Sequence, residues 1–300
     1  LHFPHGHDLL CTEDQTRRSH MSGTAQPITS KIGLEVTGMT AGQFADPDTA
    51  QQAQRDLDEY GVVVYRDVNL SDDELVEFSR RLGTLVVQPT GEHQHPEIQT
   101  ITLDPSKTNA MLASFRQGNF HWHIDGATLD IPQKATLLTA RAVDPAGGDT
   151  EFANTYAAYD ALSDAERTEI ADLQVVHTFA HAQSLANPDP TAEQRAAWDR
   201  VPPQVHPLVW TRRSGRKSLL LGATAAEVVG WPIEKSRDLL DRLLAWATQP
   251  QFTLRHQWHV GDLVMWDNTG MLHRALPFEP TSVRLMHRTT LQGEEPVTAA

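Results

Sequence analysis

Apolar residues recur along this chain with two periods, one suited to strands and one to helices. Val62, Val63, Val64 and Tyr65 form an unbroken β-branched and aromatic run, which predicts a buried strand. Lys134 to Val143 predicts a longer one, followed by the turn Asp144-Pro-Ala-Gly-Gly148 and a return over Thr150 to Asn154. Residues 31–38 alternate loosely and read as a strand. Ser218 to Leu221, Phe252 to Trp258, Leu263 to Trp266 and Val283 to Leu291 predict further strands. Helical spacing covers Asp48 to Tyr60, stopped by Gly61. The capping boxes Ser71-x-x-Glu74 and Ser163-x-x-Glu166 open two more helices, one ending near Gly83 and one near Leu173. Pro232 starts a helix whose apolar stripe runs from Ile233 to Thr248. Residues 84–118 have weak periodicity and read as loop. Residues 183–204 are rich in Pro and Ala and read as an excursion. Strands dominate the second half, so the pattern predicts a mainly β fold with flanking helices, a sandwich or barrel rather than an alternating βαβ chain. No G-x-G-x-x-G or Walker motif supports a dinucleotide or ATP site.

Composition narrows the partners. Of 300 residues, 39% are hydrophobic and 21% charged, enough for a substantial core. Lys and Arg number 25 against 39 Asp and Glu, a net charge of −14, which argues against nucleic-acid and membrane-surface binding. A local basic pocket for a small anion stays compatible with it. Cys11 is the single cysteine, which removes intramolecular disulfides and Cys-rich zinc sites, and a reducing, cytoplasmic setting fits. No apolar run approaches the ~18 residues of a membrane span. Residues 1–22 read as a disordered leader or tag, without the basic and long apolar regions of a secretory signal. Residues 23–300 read as a single domain with an insertion around 183–204.

Chemistry concentrates in two stretches. In Gly118-Asn-Phe-His-Trp-His-Ile-Asp-Gly126, His123 and Asp125 are two apart and on a strand would share a face. Two His and one carboxylate form the facial triad of non-heme Fe(II) oxygenases, so a third ligand must come from elsewhere. Downstream, two apolar runs flank an Asp-Asn-Thr-Gly turn, and His273 lies just past it. Arg284 and Arg288, four apart on a predicted strand, share a face. Inside a small barrel they would be costly to bury unless a dicarboxylate met their guanidinium forks. Taken singly, each piece also fits a plain reading: a satisfied histidine, or solvated surface arginines. His93, His95 and Gln99 read as a solvated loop before a strand rather than a metal cluster. Trp258 and Trp266 read as core.

Several blocks, in order from about residue 30 to 293, resemble the TauD/TfdA (taurine dioxygenase/2,4-dichlorophenoxyacetate dioxygenase) family of Fe(II)- and 2-oxoglutarate-dependent oxygenases. They are WHID, AVDPAGGDTEFAN, AAYDALSDAER, SGRKSLLLG, and WATQPQFTLRHQWHVGDLVMWDNTGMLHRA through RLMHRTTLQG. The resemblance implies a double-stranded β-helix, or jelly roll, with helical insertions. It implies iron ligation by His123, Asp125 and His273, and 2-oxoglutarate binding by Thr150, Arg284 and Arg288. Arg288 is also the residue that meets an anionic group of the substrate in relatives. Asn119 falls at a substrate-side position, and His121 reads either as lining the substrate side or as a plain loop histidine. Gln88 stands where taurine enzymes carry a histidine, a departure from taurine specificity. A carboxylate at position 125, rather than a small residue, implies hydroxylation instead of halogenation. The implied reaction consumes O2 and a small anionic substrate, aryloxyalkanoate-type with C–O cleavage, and releases succinate and CO2. A sulfonate such as taurine or an alkyl sulfate is the near alternative. A non-catalytic jelly-roll binding protein and a zinc hydrolase are the alternatives from other classes. Family habit implies a homo-oligomer of two or four copies.

Overall fold

The computed structural model describes residues 23–87, 93–104, 106–108 and 115–299. The expected leader at 1–22 and Gln88 lie outside them. Seven strands form the main sheet, in the order Thr24–Pro27, Leu34–Thr37, Val62–Tyr65, Leu263–Asp267, Ala135–Ala142, Leu285–Leu291 and Gln99–Ile101. Neighbours are antiparallel except Leu34–Thr37 with Val62–Tyr65, which run parallel. A second sheet pairs Thr253–His256, Thr150–Asn154 and Met271–Ala275, all antiparallel.

The two-residue period divides each central strand between two cores. Val63, Tyr65, Leu137, Leu263 and Met265 face the helices Pro47–Tyr60 and Asp72–Leu82, packing on Ala53, Leu57, Leu75 and Phe78. Val62, Val64, Leu138, Val264 and Trp266 face the second sheet and meet Phe152, Leu254 and Met271. A strand buried on both faces has no polar side to show, which is why the Val62–Tyr65 run is continuous. On the outer face of the second sheet, Ala153 and Leu272 join Leu239, Leu240 and Leu243 of the helix Ile233–Ala247. The fold is therefore mainly β with flanking helices, two facing sheets in jelly-roll arrangement without a closed barrel.

Both anticipated capping boxes form, at Ser71 with Glu74 and at Ser163 with Glu166. Gly61 ends the first long helix at φ 72°, its N–H bonding the Leu57 carbonyl at 2.8 Å. The segment 183–204 is more regular than its composition predicts. It contains the end of the helix Phe179–Ala186 and the helix Ala192–Trp198, which opens with a Thr191/Gln194 capping box and buries Trp198. The loop-rich segment includes the strand Gln99–Ile101. A small sheet of Ala225–Val228, Gln174–His177 and Gln204–Pro207 also escapes the sequence reading, because its strands are four residues long and carry Gln, His and Glu. Among the described residues no helix is long and apolar enough to cross a membrane.

His177, on that small sheet, is fully buried with Nδ1 2.9 Å from Thr224 Oγ1. Burial, reinforced by His206, lowers its imidazole from 6.5 to about 3. Between those two pH values the unfolded chain binds a proton that the folded chain refuses, so stability falls as pH drops through 6.5. The expected contribution is about 1.4 kcal/mol per pH unit from this histidine. Denaturant unfolding at several pH values between 7 and 5 measures it. His177→Gln should flatten the slope, and an unchanged slope would assign the acid sensitivity elsewhere.

Candidate active site

His273 sits in the middle of Met271–Ala275, opposite Phe152, and points between the sheets toward Trp266, ring centroids 4.7 Å apart. His123 is not on a regular strand. A single bridge holds it, with His123 N–H donating to the His273 carbonyl at 3.0 Å and the reverse bond at 2.9 Å. The strand geometry assumed for His123-x-Asp125 is thus reduced to one bridge residue, and Asp125 already belongs to the following turn. The two imidazoles face each other at 4.2 Å.

Gly222 lets this segment lie so close. It has φ +107°, and a Cβ there would stand 2.6 Å from the Trp122 carbonyl oxygen and 3.0 Å from His123 Cα. Gly222→Ala should cost about 1–3 kcal/mol of stability from the strained φ alone, and more if the backbone must shift. It should also loosen the His123–His273 bridge. Slowed amide exchange at His123 equal to the parent's would contradict this.

Asp125 completes the group. Its Oδ1 lies 3.9 Å from His123 Nε2 and its Oδ2 3.6 Å from His273 Nε2. One donor atom from each residue falls within 4.8 Å of the other two. The His123 Nδ1–H donates to the His121 carbonyl at 2.8 Å, which leaves Nε2 as the lone pair facing the carboxylate. Burial lowers both imidazoles, His273 to about 3, so both are neutral at pH 7, the form that ligates metal. Burial alone would raise Asp125, but Arg288, His273, His123 and the Thr136 hydroxyl overcome it and hold the carboxyl well below the usual range. Two neutral imidazoles with one hard carboxylate, and no thiolate, fit Fe(II).

Above this cluster opens a cavity of roughly 420 Å³ including its mouth, lined by Asn119, Thr150, Arg284, Arg288 and the apolar Ile101, Leu138 and Trp266. Arg284 precedes the strand Leu285–Leu291 rather than lying in it, yet it shares a face with Arg288 as the spacing predicts. It is 3% exposed, donates through Nε to the Gly148 carbonyl at 3.0 Å and packs over Phe278. No carboxylate among the described residues forms an ion pair with it. Burial lowers its guanidinium to about 10, against the pull of Asp149, so the charge persists at neutral pH. Thr150 Oγ1 accepts from Trp258 Nε1 at 3.0 Å. Indole N–H can only donate, so the Thr150 proton is free for an anion in the cavity. Trp258 is core, as expected, and also aims this hydroxyl.

Other sequence candidates fall elsewhere. His121 lines a separate cavity with Trp122, His181, Arg237 and Arg274. His93 is not simply solvated: its Nε2 meets Asp72 Oδ2 at 3.2 Å, and Asp72 Oδ1 lies 2.7 Å from His287 Nδ1. Arg141 contacts the same carboxylate at 2.5 Å and supplies the cation there. His95 pairs with Asp73, and Gln99 pairs in register with Arg288. Sequence reasoning missed Thr136 and Asn268, which contact Asp125 directly or through one another. Thr136 carries no motif that marks it, and Asn268 was visible only as part of the Asp-Asn-Thr-Gly turn.

Comparison with known proteins extends the geometry. Residues 24–290 match the model of the "Taurine catabolism dioxygenase TauD, TfdA family". The chain is 35% identical over 284 residues to the alpha-ketoglutarate-dependent 2,4-dichlorophenoxyacetate dioxygenase of Cupriavidus pinatubonensis, covering 90% of this chain and 98% of that one. It is 30% identical to the alpha-ketoglutarate-dependent sulfate ester dioxygenase of Pseudomonas putida, covering 90% of each. The crystal structure of AAD-2 with Mn(II) and N-oxalylglycine superposes with a TM-score of 0.78 at 31% identity, over 93% of this chain and all of that one.

Proposed function

The chain belongs to the TauD, TfdA family, and from that premise we propose that His123, Asp125 and His273 hold its iron while Arg284 and Thr150 receive its 2-oxoglutarate. It is an Fe(II)- and 2-oxoglutarate-dependent dioxygenase. The observation that carries the residue assignment is the convergence of a largely buried His/Asp/His cluster and a buried guanidinium, without a carboxylate partner among the described residues, on one cavity. Residues 23–300 act as one catalytic domain in this reading, supported by a family match that spans 24–290.

Bound at the triad, Fe(II) supplies the oxygen chemistry that couples conversion of 2-oxoglutarate to succinate and CO2 with hydroxylation of a substrate C–H bond. The chain's own groups select and orient. Arg284 takes the distal carboxylate of 2-oxoglutarate with its fork, and Thr150 donates its free proton to the same group. The His121 carbonyl fixes the His123 tautomer. Arg288, at the inner wall, meets an anionic group of substrate or co-substrate, and Asn119 lies on the substrate side. Ile101 and Leu138 offer an apolar wall to the rest of the molecule.

The substrate class that fits best is a small organic acid of the aryloxyalkanoate type. The cavity pairs a cation with apolar walls, and relatives named for aryloxy acids share 35% and 31% of aligned residues with this chain. A hydroxyl placed on the carbon bearing the ether oxygen gives a hemiacetal, which collapses to a phenol and an oxo acid. Incubation with Fe(II), 2-oxoglutarate, O2 and a panel of aryloxyacetates, 2-aryloxypropionates, taurine and alkyl sulfates tests this. Succinate and phenol formed together support the reading. Release of sulfite or inorganic sulfate, with no phenol, moves the substrate to a sulfonate or alkyl sulfate.

A further inference from the structure

His123 and His273 are pinned to each other through the backbone, but Asp125 lies in a turn and its carboxylate is oriented by side chains. Thr136 Oγ1 donates to Asp125 Oδ2 at 3.0 Å. Thr136 is fully buried on Ala135–Ala142 and shares strand parity with Leu138 and Ala140, which face between the sheets. Its oxygen in turn accepts from Asn268 Nδ2 at 2.8 Å. A hydroxyl has one proton to give. With an amide donating into its oxygen, that proton is directed onto the carboxylate.

Asn268 is itself fully buried in the turn between Leu263–Asp267 and Met271–Ala275, with its backbone N–H on the Lys134 carbonyl at 3.0 Å. The turn that crosses from one sheet to the other and delivers His273 therefore also delivers the amide that steers Asp125. The two carboxylate oxygens are unequally loaded. Oδ2 takes the hydroxyl at 3.0 Å and Arg288 at 3.3 Å, whereas Oδ1 has Arg288 at 3.5 Å.

We propose that Thr136 and Asn268 are positioning residues: the amide directs the Thr136 proton onto Asp125 Oδ2, and this relay holds the carboxylate turned toward His123 and His273. The inference rests on the reading that His123, Asp125 and His273 form the metal site.

Mn(II) is the probe, followed by titration and by the electron paramagnetic resonance signal of the bound ion. Thr136→Val keeps the shape and removes the proton. It should weaken Mn(II) binding roughly 10- to 100-fold, the usual worth of an outer-shell partner, and alter the signal. Thr136→Ser should restore both to within about threefold of the parent. Asn268→Ala should fall between, since the hydroxyl remains but can rotate. A purely structural role would lower the melting temperature and leave the bound-ion signal unchanged. Parental affinity and signal in Thr136→Val overturn the relay, and if that variant does not fold, the same result in Asn268→Ala does so. Asp125→Ala separates the two levels. If it binds Mn(II) like the parent, the metal-site reading itself fails. If it loses Mn(II) while Thr136→Val does not, only the relay fails.

Discussion

His273→Ala is expected to abolish iron binding and turnover together. The imidazole is buried, neutral and 3.6 Å from Asp125, and its backbone is bonded to the His123 backbone. As the proposed direct ligand, His273 should cost more when lost than the roughly 10–100-fold of an outer-shell partner. Anaerobic addition of Fe(II) and 2-oxoglutarate to the parent should produce a weak visible charge-transfer band, absent from the variant. Because Met271–Ala275 is held by its ladder to Thr150–Asn154 rather than by this side chain, circular dichroism should be unchanged. A parental band in the variant would show that the metal sits elsewhere. Asp72, His93 and His287 form the other such cluster among the described residues, but Arg141 already neutralises its carboxylate.

Arg284→Ala should separate stability from function. With the guanidinium gone, a carboxylate of 2-oxoglutarate is left in a buried site without its partner, a loss of about 2–5 kcal/mol. That corresponds to a rise of roughly 30-fold or more in the KM for 2-oxoglutarate. The metal-free protein should lose little stability, because the guanidinium has no ion-pair partner among the described residues and its burial is a cost. Arg284→Lys should rescue only in part, since an ammonium cannot present a fork. Steady-state kinetics with varied 2-oxoglutarate, beside denaturant unfolding without metal, measures both effects. An unchanged KM would move the co-substrate anchor to Arg288.

The local code of this chain was readable wherever one residue type forces one conformation. Gly61 stops a helix because the cap needs a left-handed φ, and Ser71 and Ser163 begin helices because their hydroxyls satisfy free N–H groups. The Val62–Tyr65 run announced a buried strand because β-branched and aromatic residues favour extended backbone, and a strand covered on both faces has no polar side to show. His123, Asp125, His273, Thr150, Arg284 and Arg288 were named as candidates through the family resemblance, with His123-x-Asp125 and the two arginines also marked by their spacing. Short strands such as Gln174–His177 were not, since pairing rather than composition makes them strands.

What the sequence by itself determined was the inventory: which segments fold locally, which faces are apolar, and which side chains have metal-binding or anion-binding chemistry. Only the tertiary structure decided how those side chains meet. The pairing of His123 with His273 spans 150 residues of chain and exists as one isolated bridge, which no local period encodes. His121, two residues from His123, falls into a different cavity because it caps the short helix Gln117–Phe120 and does not share a strand with His123. Thr136 and Asn268 look like ordinary strand and turn residues until the two sheets close over Asp125 and line up Asn268 Nδ2, Thr136 Oγ1 and Asp125 Oδ2 as donor, relay and acceptor. Long-range hydrogen bonding in a buried site depends on distances between elements, and those distances are set by the packing of the sheets, not by spacing along the chain.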